Sequence, residues 1–124
     1  MRAPTILICE DEPSLRELMR ISLRSEYAFA EAAGAAEAIA MVDAVRPDIV
    51  LLDVMMPGGS GLSVLEHLRS NPELRDTPVV VISAFTAERD HVAAHDAGAN
   101  GFLKKPFDPE ELESLVEELL AAHN

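Results

Sequence analysis

The feature that most constrains this fold is a set of four short apolar runs, each of which ends at polar residues. Runs of this length, separated by helical stretches, are typical of strands in a parallel sheet with both faces buried. The runs and the residues that follow them are Ile6-Leu7-Ile8-Cys9 before Glu10-Asp11, Ile49-Val50-Leu51-Leu52 before Asp53, Val79-Val80-Val81-Ile82 before Ser83, and Gly101-Phe102-Leu103 before Lys104-Lys105.

The periodicity of the whole chain predicts five strands that alternate with five helices. Strands are expected at residues 5–9, 27–32, 49–53, 79–82 and 100–103, the Ala-rich second one at an edge. Helices are expected from Pro13, over 35–45, from the Ser60 cap to Asn71-Pro72, over 86–97, and from Pro109. Ser60 is predicted to cap the third helix, Gly98 to end the fourth and Asp108 to cap the fifth. This alternation predicts a three-layer, doubly wound α/β fold with right-handed crossovers.

Length and composition fit one soluble domain over residues 1–124, without a linker or an output domain. No apolar run approaches the roughly 18 residues that a membrane span needs. The first strand begins too early to leave room for a signal peptide, so a cytoplasmic location is expected. The lone Cys9 is expected to be a small buried hydrophobe.

The net charge of −12 bears on possible partners. A field of this sign opposes direct binding to nucleic acid or to an anionic membrane. It suits a basic protein partner or a bound divalent cation, although most of the acidic side chains need serve only solubility.

The polar residues at the strand ends are expected to form one site. All carboxyl ends of a parallel sheet point the same way, and ligands bind in the crevice outside them. Three carboxylates, a hydroxyl and an ammonium would therefore converge from Glu10, Asp11, Asp53, Ser83 and Lys105. Such a set predicts a magnesium and phosphoryl site.

With these residues in place, the chain resembles the receiver domains of response regulators in two-component signalling, over residues 6–120. The matching segments are Ile8-Cys9-Glu10-Asp11-Glu12-Pro13, Leu52-Asp53-Val54-Met55-Met56-Pro57 with Gly61, Ile82-Ser83-Ala84, and Gly98-Ala99 followed by Phe102-Leu103-Lys104-Lys105-Pro106-Phe107. The resemblance implies a flavodoxin-like, CheY-like (βα)5 fold with strand order 2-1-3-4-5. It also implies a phosphoacceptor signalling domain rather than a turnover enzyme.

The resemblance implies a role for each site residue. Asp53 would be the phosphoacceptor, and Mg²⁺, for which Mn²⁺ can substitute, would bind Glu10, Asp11, Asp53 and the backbone carbonyl of Met55. Glu10 stands where many relatives have Asp, so its contact with the cation can be direct or through water. Ser83 and Lys105 would bind phosphoryl oxygens, and Phe102 would couple to Ser83 in switching.

Further expectations come from the resemblance. The Lys105-Pro106 peptide bond would be cis. Met55 and Phe85, two positions after Asp53 and Ser83, would set the lifetime of the phosphorylated state; both are apolar and cannot orient a water, which predicts slow hydrolysis.

The resemblance also bears on partners. A sensor histidine kinase or a histidine phosphotransfer protein would supply the phosphoryl group. The chain would be a monomer or a weak, phosphorylation-dependent dimer, and its fourth helix, fifth strand and fifth helix would control partner binding.

Other interpretations of the same residues stay open at this point. A phosphatase of the haloacid-dehalogenase type usually has a second Asp two residues after its nucleophile, where this chain has Met55. A pseudo-receiver that never takes phosphate typically loses an acidic residue or the lysine. His91 and His95 have a zinc-compatible spacing but lack further ligands nearby in sequence, and the glycine-rich loop at 57–61 lacks the Lys-Ser/Thr of a P-loop.

Overall fold

A computed structural model describes residues 3–56, 61–84 and 88–123, without the side chains of residues 88–91 and 123. Strands and helices alternate through the described chain, in the order that the sequence predicts. The elements are β1 (Thr5–Cys9), α1 (Pro13–Ser22), β2 (Ala28–Ala32), α2 (Ala35–Val45), β3 (Ile49–Leu52), α3 (Leu62–Ser70), β4 (Val79–Ser83), α4 (Glu88–Asp96), β5 (Gly101–Lys104) and α5 (Pro109–His123).

The five strands form one parallel sheet in the order β2-β1-β3-β4-β5. This confirms the predicted strand order and the edge position of β2. Side chains alternate across the sheet, so Ile6 and Ile8 of β1 face one helix layer while Leu7 and Cys9 face the other. Helices α1 and α5 cover the first face, and α2, α3 and α4 cover the second. Both faces are therefore buried, as the unbroken apolar runs predict.

Helix termini agree with the sequence at three places. Helix α5 starts at Pro109, and the Asp108 carboxylate accepts the Glu110 N–H at 2.9 Å. Gly98 follows α4 with a φ of 105°, a left-handed conformation that favours glycine, and Arg46 ends α2 with a φ of 51°. Gly61 precedes α3, and the predicted cap residue Ser60 lies outside the described residues.

Several element boundaries differ by one or two residues from the expectations. Strand β3 ends at Leu52, one residue before Asp53, while β4 continues through Ser83. Helix α4 begins at Glu88, and the predicted start at Thr86 lies outside the described residues. Within the described chain, none of the helices combines the length and the apolarity that crossing a bilayer requires.

Candidate functional site

Backbone hydrogen bonds just past the strand ends hold the site residues in place. The Glu10 N–H donates to the Ala32 carbonyl at 3.0 Å, and the Asp53 N–H donates to the Cys9 carbonyl at 2.9 Å. The Lys105 N–H donates in the same way to the Ser83 carbonyl at 3.0 Å. These bonds extend the sheet ladders by one residue, so the polar side chains begin where the rigid sheet ends.

Three carboxylates meet at this edge of the sheet. Oxygen atoms of Glu10, Asp11 and Asp53 all lie within 4.8 Å of one another. Glu10 and Asp53 are buried, whereas Asp11 is exposed. Because the donor atoms are all oxygens and carry concentrated negative charge, the cluster suits a hard divalent cation.

The Lys105 ammonium bridges the two buried carboxylates. Its Nζ lies 2.6 Å from Glu10 Oε1 and 2.8 Å from Asp53 Oδ2. The neighbouring Lys104 is exposed, as strand alternation predicts. Two buried carboxylates without a positive partner would be strongly destabilising, so Lys105 offsets much of their desolvation cost.

The second oxygen of Asp53 has its own donors. Asp53 Oδ1 accepts the Met55 N–H at 2.8 Å and the Ser83 hydroxyl at 3.3 Å. Ser83 is 1% exposed and Asp53 is 3% exposed, so these bonds form away from bulk water. Both Asp53 oxygens are thus held in a fixed orientation at the floor of the site.

Burial and charge act in opposite directions on the pKa values here. Burial raises the pKa of Glu10, and its hydrogen bonds from Lys105 and from the Glu12 N–H offset only part of that rise. Burial lowers the pKa of Lys105, but the hydrogen bonds and charges of Asp53 and Glu10 outweigh it and leave the pKa raised. The lysine therefore remains a firmly charged ammonium within the acidic cluster.

The backbone approaches itself closely beside Asp53. A Cβ atom on Gly61 would lie 2.5 Å from the Val54 Cα and 2.6 Å from the Asp53 carbonyl oxygen. The Gly61 N–H donates to the Val54 carbonyl at 3.0 Å, which closes the loop. Glycine at this position is a steric requirement, in agreement with the predicted tight turn after Asp53.

The remaining predicted residues lie around this centre rather than in it. The Phe102 ring is half-buried and stacks on the His95 ring of α4, with centroids 6.3 Å apart. The Met55 side chain is 69% exposed, and the Lys105–Pro106 peptide bond is cis. Phe85 lies outside the described residues, as does the side chain of His91 from the histidine pair considered above.

Two features of the surroundings were not predicted from the sequence. Arg16 of α1 donates to the Glu10 carbonyl oxygen at 2.7 Å, directly behind the acidic loop. A cavity of about 270 Å³ lies beside Lys105 and is lined mainly by apolar side chains, namely Leu15, Leu18, Pro106 and Phe107. The sequence gives only a weak signal for the role of Arg16, since it is one of two arginines on the amphipathic helix α1.

Comparison with known proteins identifies relatives over nearly the whole chain. The phosphate regulon transcriptional regulatory protein PhoB of Escherichia coli is 35% identical over 119 residues, covering 95% of this chain and 52% of PhoB. The DNA-binding response regulator MtrA of Mycolicibacterium smegmatis is 38% identical over 112 residues, covering 90% and 48% respectively. The chain thus spans about half the length of these curated relatives.

Solved structures with the same fold include three response regulators. The chemotaxis response regulator CheY4 of Vibrio cholerae superposes with a TM-score of 0.86 at 27% identity, covering 94% of this chain and 98% of that one. The phosphorylated cyanobacterial phytochrome response regulator RcpA has a TM-score of 0.82 at 28% identity, covering 94% of this chain and 91% of RcpA. The Mn²⁺-bound form of response regulator Rcp1 has a TM-score of 0.80 at 25% identity, covering 94% of this chain and 91% of Rcp1.

A family model agrees with these relatives. The model of the response regulator receiver domain matches residues 6–117, which include every element from β1 to most of α5. Receiver domains of this kind are signalling domains of two-component systems and work with histidine kinases. The predicted resemblance is confirmed: this chain belongs to the response regulator receiver domain family.

Proposed function

We propose that the chain is a phosphorylation switch in which Asp53 accepts a phosphoryl group from a phosphohistidine. The donor would be a sensor histidine kinase or a histidine phosphotransfer protein, and Mg²⁺ or Mn²⁺ would be required. One observation carries the proposal: the Asp53 carboxylate lies beside two other acidic groups while Lys105, Ser83 and the Met55 N–H bind its oxygens. This combination pairs a cation site with donors for phosphoryl oxygens.

The acidic cluster fits a hard divalent cation. Glu10, Asp11 and Asp53 supply only carboxylate oxygens, which Mg²⁺ prefers, and the Met55 carbonyl would add a fourth protein oxygen. A bound cation would supply the positive charge that lets an anionic carboxylate approach an anionic phosphoryl group. The Mn²⁺-bound relative Rcp1 supports a cation site in this fold.

The residues of the chain would carry out the transfer in defined roles. An Asp53 oxygen attacks phosphorus, the phosphorus–nitrogen bond to the donor histidine breaks, and an acyl phosphate forms. The Lys105 ammonium, now 2.8 Å from Asp53 Oδ2, would bind a phosphoryl oxygen as a compact positive charge. The Ser83 hydroxyl would donate a hydrogen bond to a second phosphoryl oxygen. The phosphorylated relative RcpA supports this chemistry for the fold.

Phosphate uptake by Asp53 can be tested by intact-mass measurement. With a small acyl phosphate and Mg²⁺, the wild-type chain should gain one phosphoryl group, and omission of the cation should abolish the gain. Asp53→Asn should show no stable gain because the amide is a poor nucleophile. The exposed Asp76 precedes β4 and so lies at the amino ends of the strands, opposite the site. Asp76→Asn is therefore a matched control that should still gain the phosphoryl group.

The same assay separates the two alternative functions. Undiminished labelling of Asp53→Asn would contradict Asp53 as the acceptor, and no labelling of the wild type would favour a pseudo-receiver. Steady turnover of an external phosphomonoester would favour a phosphatase, although the exposed Met55 occupies the position of that family's general acid. Asp11→Ala should weaken cation binding more than Glu10→Gln, since Glu10 already bonds Lys105 and the Glu12 N–H.

Phosphorylation would alter the surface formed by α4, β5 and α5. In this proposal the Ser83 hydroxyl moves toward the phosphoryl group, and the Phe102 ring turns inward behind it. The present stacking of Phe102 on His95 supports a link between β5 and α4. Partners that recognise this surface would then distinguish the two states, with the chain as a monomer or a weak phosphorylation-dependent dimer.

The lifetime of the phosphorylated state would depend on Met55 and Phe85. Neither side chain can orient the attacking water by hydrogen bonding, so we expect slow autodephosphorylation. A Met55→Asn, Phe85→Glu double variant should lose its phosphoryl group faster in a single-turnover decay. Decay at an unchanged or slower rate would mean that these side chains do not control the water.

A further inference from the structure

Arg16 connects the acidic loop to the edge strand of the sheet. Its Nη1 donates to the Glu10 carbonyl oxygen at 2.7 Å, and its Nε donates to Glu31 Oε1 at 2.8 Å. The Arg16 side chain is 19% exposed, so the bonds lie in partly dehydrated surroundings. The planar guanidinium can make both bonds at once because its donors point along fixed, separate directions.

The bond from Arg16 completes a set of contacts that fixes Glu10. The Glu10 N–H donates to the Ala32 carbonyl, and Glu10 Oε2 accepts the Glu12 N–H at 3.0 Å. The carbonyl bound by Arg16 belongs to the peptide group that joins Glu10 to Asp11. Holding that carbonyl therefore sets the direction in which the exposed Asp11 leaves the sheet.

We propose that Arg16 is a positioning residue for the divalent cation, holding the Glu10-Asp11 peptide so that Asp11 stays beside Asp53. The inference rests on the proposed cation-dependent function of this site. Without a cation, three carboxylates within 4.8 Å repel one another, and the exposed Asp11 can move away at the lowest cost. Arg16 opposes that movement. The site is therefore partly preorganised, and cation binding loses less conformational entropy.

Arg20 offers a closely matched control. It lies one helical turn beyond Arg16, and its Nη1 bonds the other oxygen of the same carboxylate, Glu31 Oε2, at 2.5 Å. Within the described residues, the Arg20 guanidinium bonds only Glu31, whereas the Arg16 guanidinium bonds both Glu31 and the Glu10 carbonyl. Replacing either arginine by glutamine removes one positive charge and one ion pair, but only Arg16→Gln removes the bond to the loop.

The test is a Mg²⁺ titration of the unphosphorylated chain, with amide chemical shifts as the measure of binding. Arg16→Gln should raise the Mg²⁺ dissociation constant about tenfold, the scale seen for residues that orient metal ligands. Arg20→Gln should leave it unchanged. In phosphorylation by a small acyl phosphate, Arg16→Gln should raise the half-saturating Mg²⁺ concentration and leave the rate at saturating Mg²⁺ unchanged.

Equal Mg²⁺ affinities for Arg16→Gln and Arg20→Gln would overturn the inference, and so would wild-type affinity in Arg16→Gln. If Arg16→Gln does not fold, Arg16→Lys is compared with Arg20→Lys, since one ammonium cannot span Glu31 and the Glu10 carbonyl. Equal affinities in that pair would also overturn it. Arg16-dependent Mg²⁺ binding without phosphate uptake would contradict only the proposed function, and no Mg²⁺ binding at all would contradict both.

Discussion

Helices α4 and α5 flank the same edge strand, β5, but are held to the sheet in different ways. Helix α5 has 15 residues and buries Leu112, Val116 and Leu120, which recur at every fourth position on one face. Helix α4 has nine residues, and among its described side chains Ala94 is buried while Val92 is 50% exposed. Because apolar burial supplies most of a helix's attachment, α5 is more firmly anchored than the described part of α4.

Among the described residues, a group of hydrogen bonds attaches the C-terminal end of α4. Arg69 of α3 donates two bonds to the Gly98 carbonyl, at 3.1 and 2.7 Å, and further bonds to the Arg75 and Thr77 carbonyls and to Asn100 Oδ1. This end of α4 lies at the amino edge of the sheet, away from Asp53. One side of β5 is therefore covered by a closely packed apolar helix, whereas the described part of α4 on the other side buries little apolar surface, which is typical of elements that shift at low cost.

The largest expected effect is the loss of stability when a buried side chain of α5 is truncated. Leu112 is 0% exposed, so Leu112→Ala should lower the free energy of unfolding by about 3 kcal/mol through lost burial and a residual cavity. Chemical denaturation measures the loss. The matched change on α4, Val92→Ala, should cost less than about 0.5 kcal/mol because Val92 is half exposed. Similar losses for the two variants would contradict the difference in anchoring between α5 and α4.

Removing the C-terminal attachment of α4 should have the next largest effect. Arg69→Gln leaves the Gly98, Arg75 and Thr77 carbonyls without their guanidinium donor and should cost about 2 kcal/mol. Amide hydrogen exchange should then accelerate in α4 more than in α5. The exposed Arg75 provides the control, since Arg75→Gln removes the same charge. Equal acceleration in both helices would mean that Arg69 supports the whole domain rather than α4.

The sequence predicted those parts of the fold that depend on local patterns. Unbroken apolar runs located four of the strands, and Pro109 with Asp108 located the start of α5. Polar residues at the ends of these runs predicted which side chains converge, because parallel topology alone brings strand ends together. Glu10, Asp11, Asp53, Ser83 and Lys105 do meet at the carboxyl edge.

The contacts within the site depend on tertiary distances that no local pattern encodes. The bridge of Lys105 between Glu10 and Asp53 joins residues 95 and 52 positions apart. The bond of Arg16 to the Glu10 carbonyl uses a backbone acceptor, which every residue has, so composition gives no signal for it. The exposure of Met55 is likewise not indicated by its residue type, since methionine is more often buried.

The smallest expected effect is the displacement that separates the two signalling states. Beryllofluoride with Mg²⁺ can mimic the phosphoryl group on Asp53, and amide chemical shifts report the response without destabilising the chain. Ser83 bonds Asp53 directly, and Phe102 stacks on His95 of α4. We therefore expect shifts at Phe102 and over 88–96.

The buried face of α5 should change least, because Leu112 and Val116 are 0% exposed and moving them would disturb the close-packed core. A weakly packed helix can shift at low cost, so the response should follow the difference in anchoring between α4 and α5. Asp53→Asn treated in the same way should show no such pattern and serves as the control. Shifts confined to the loop after Asp53, with Phe102 and α4 unchanged, would contradict this surface as the switch.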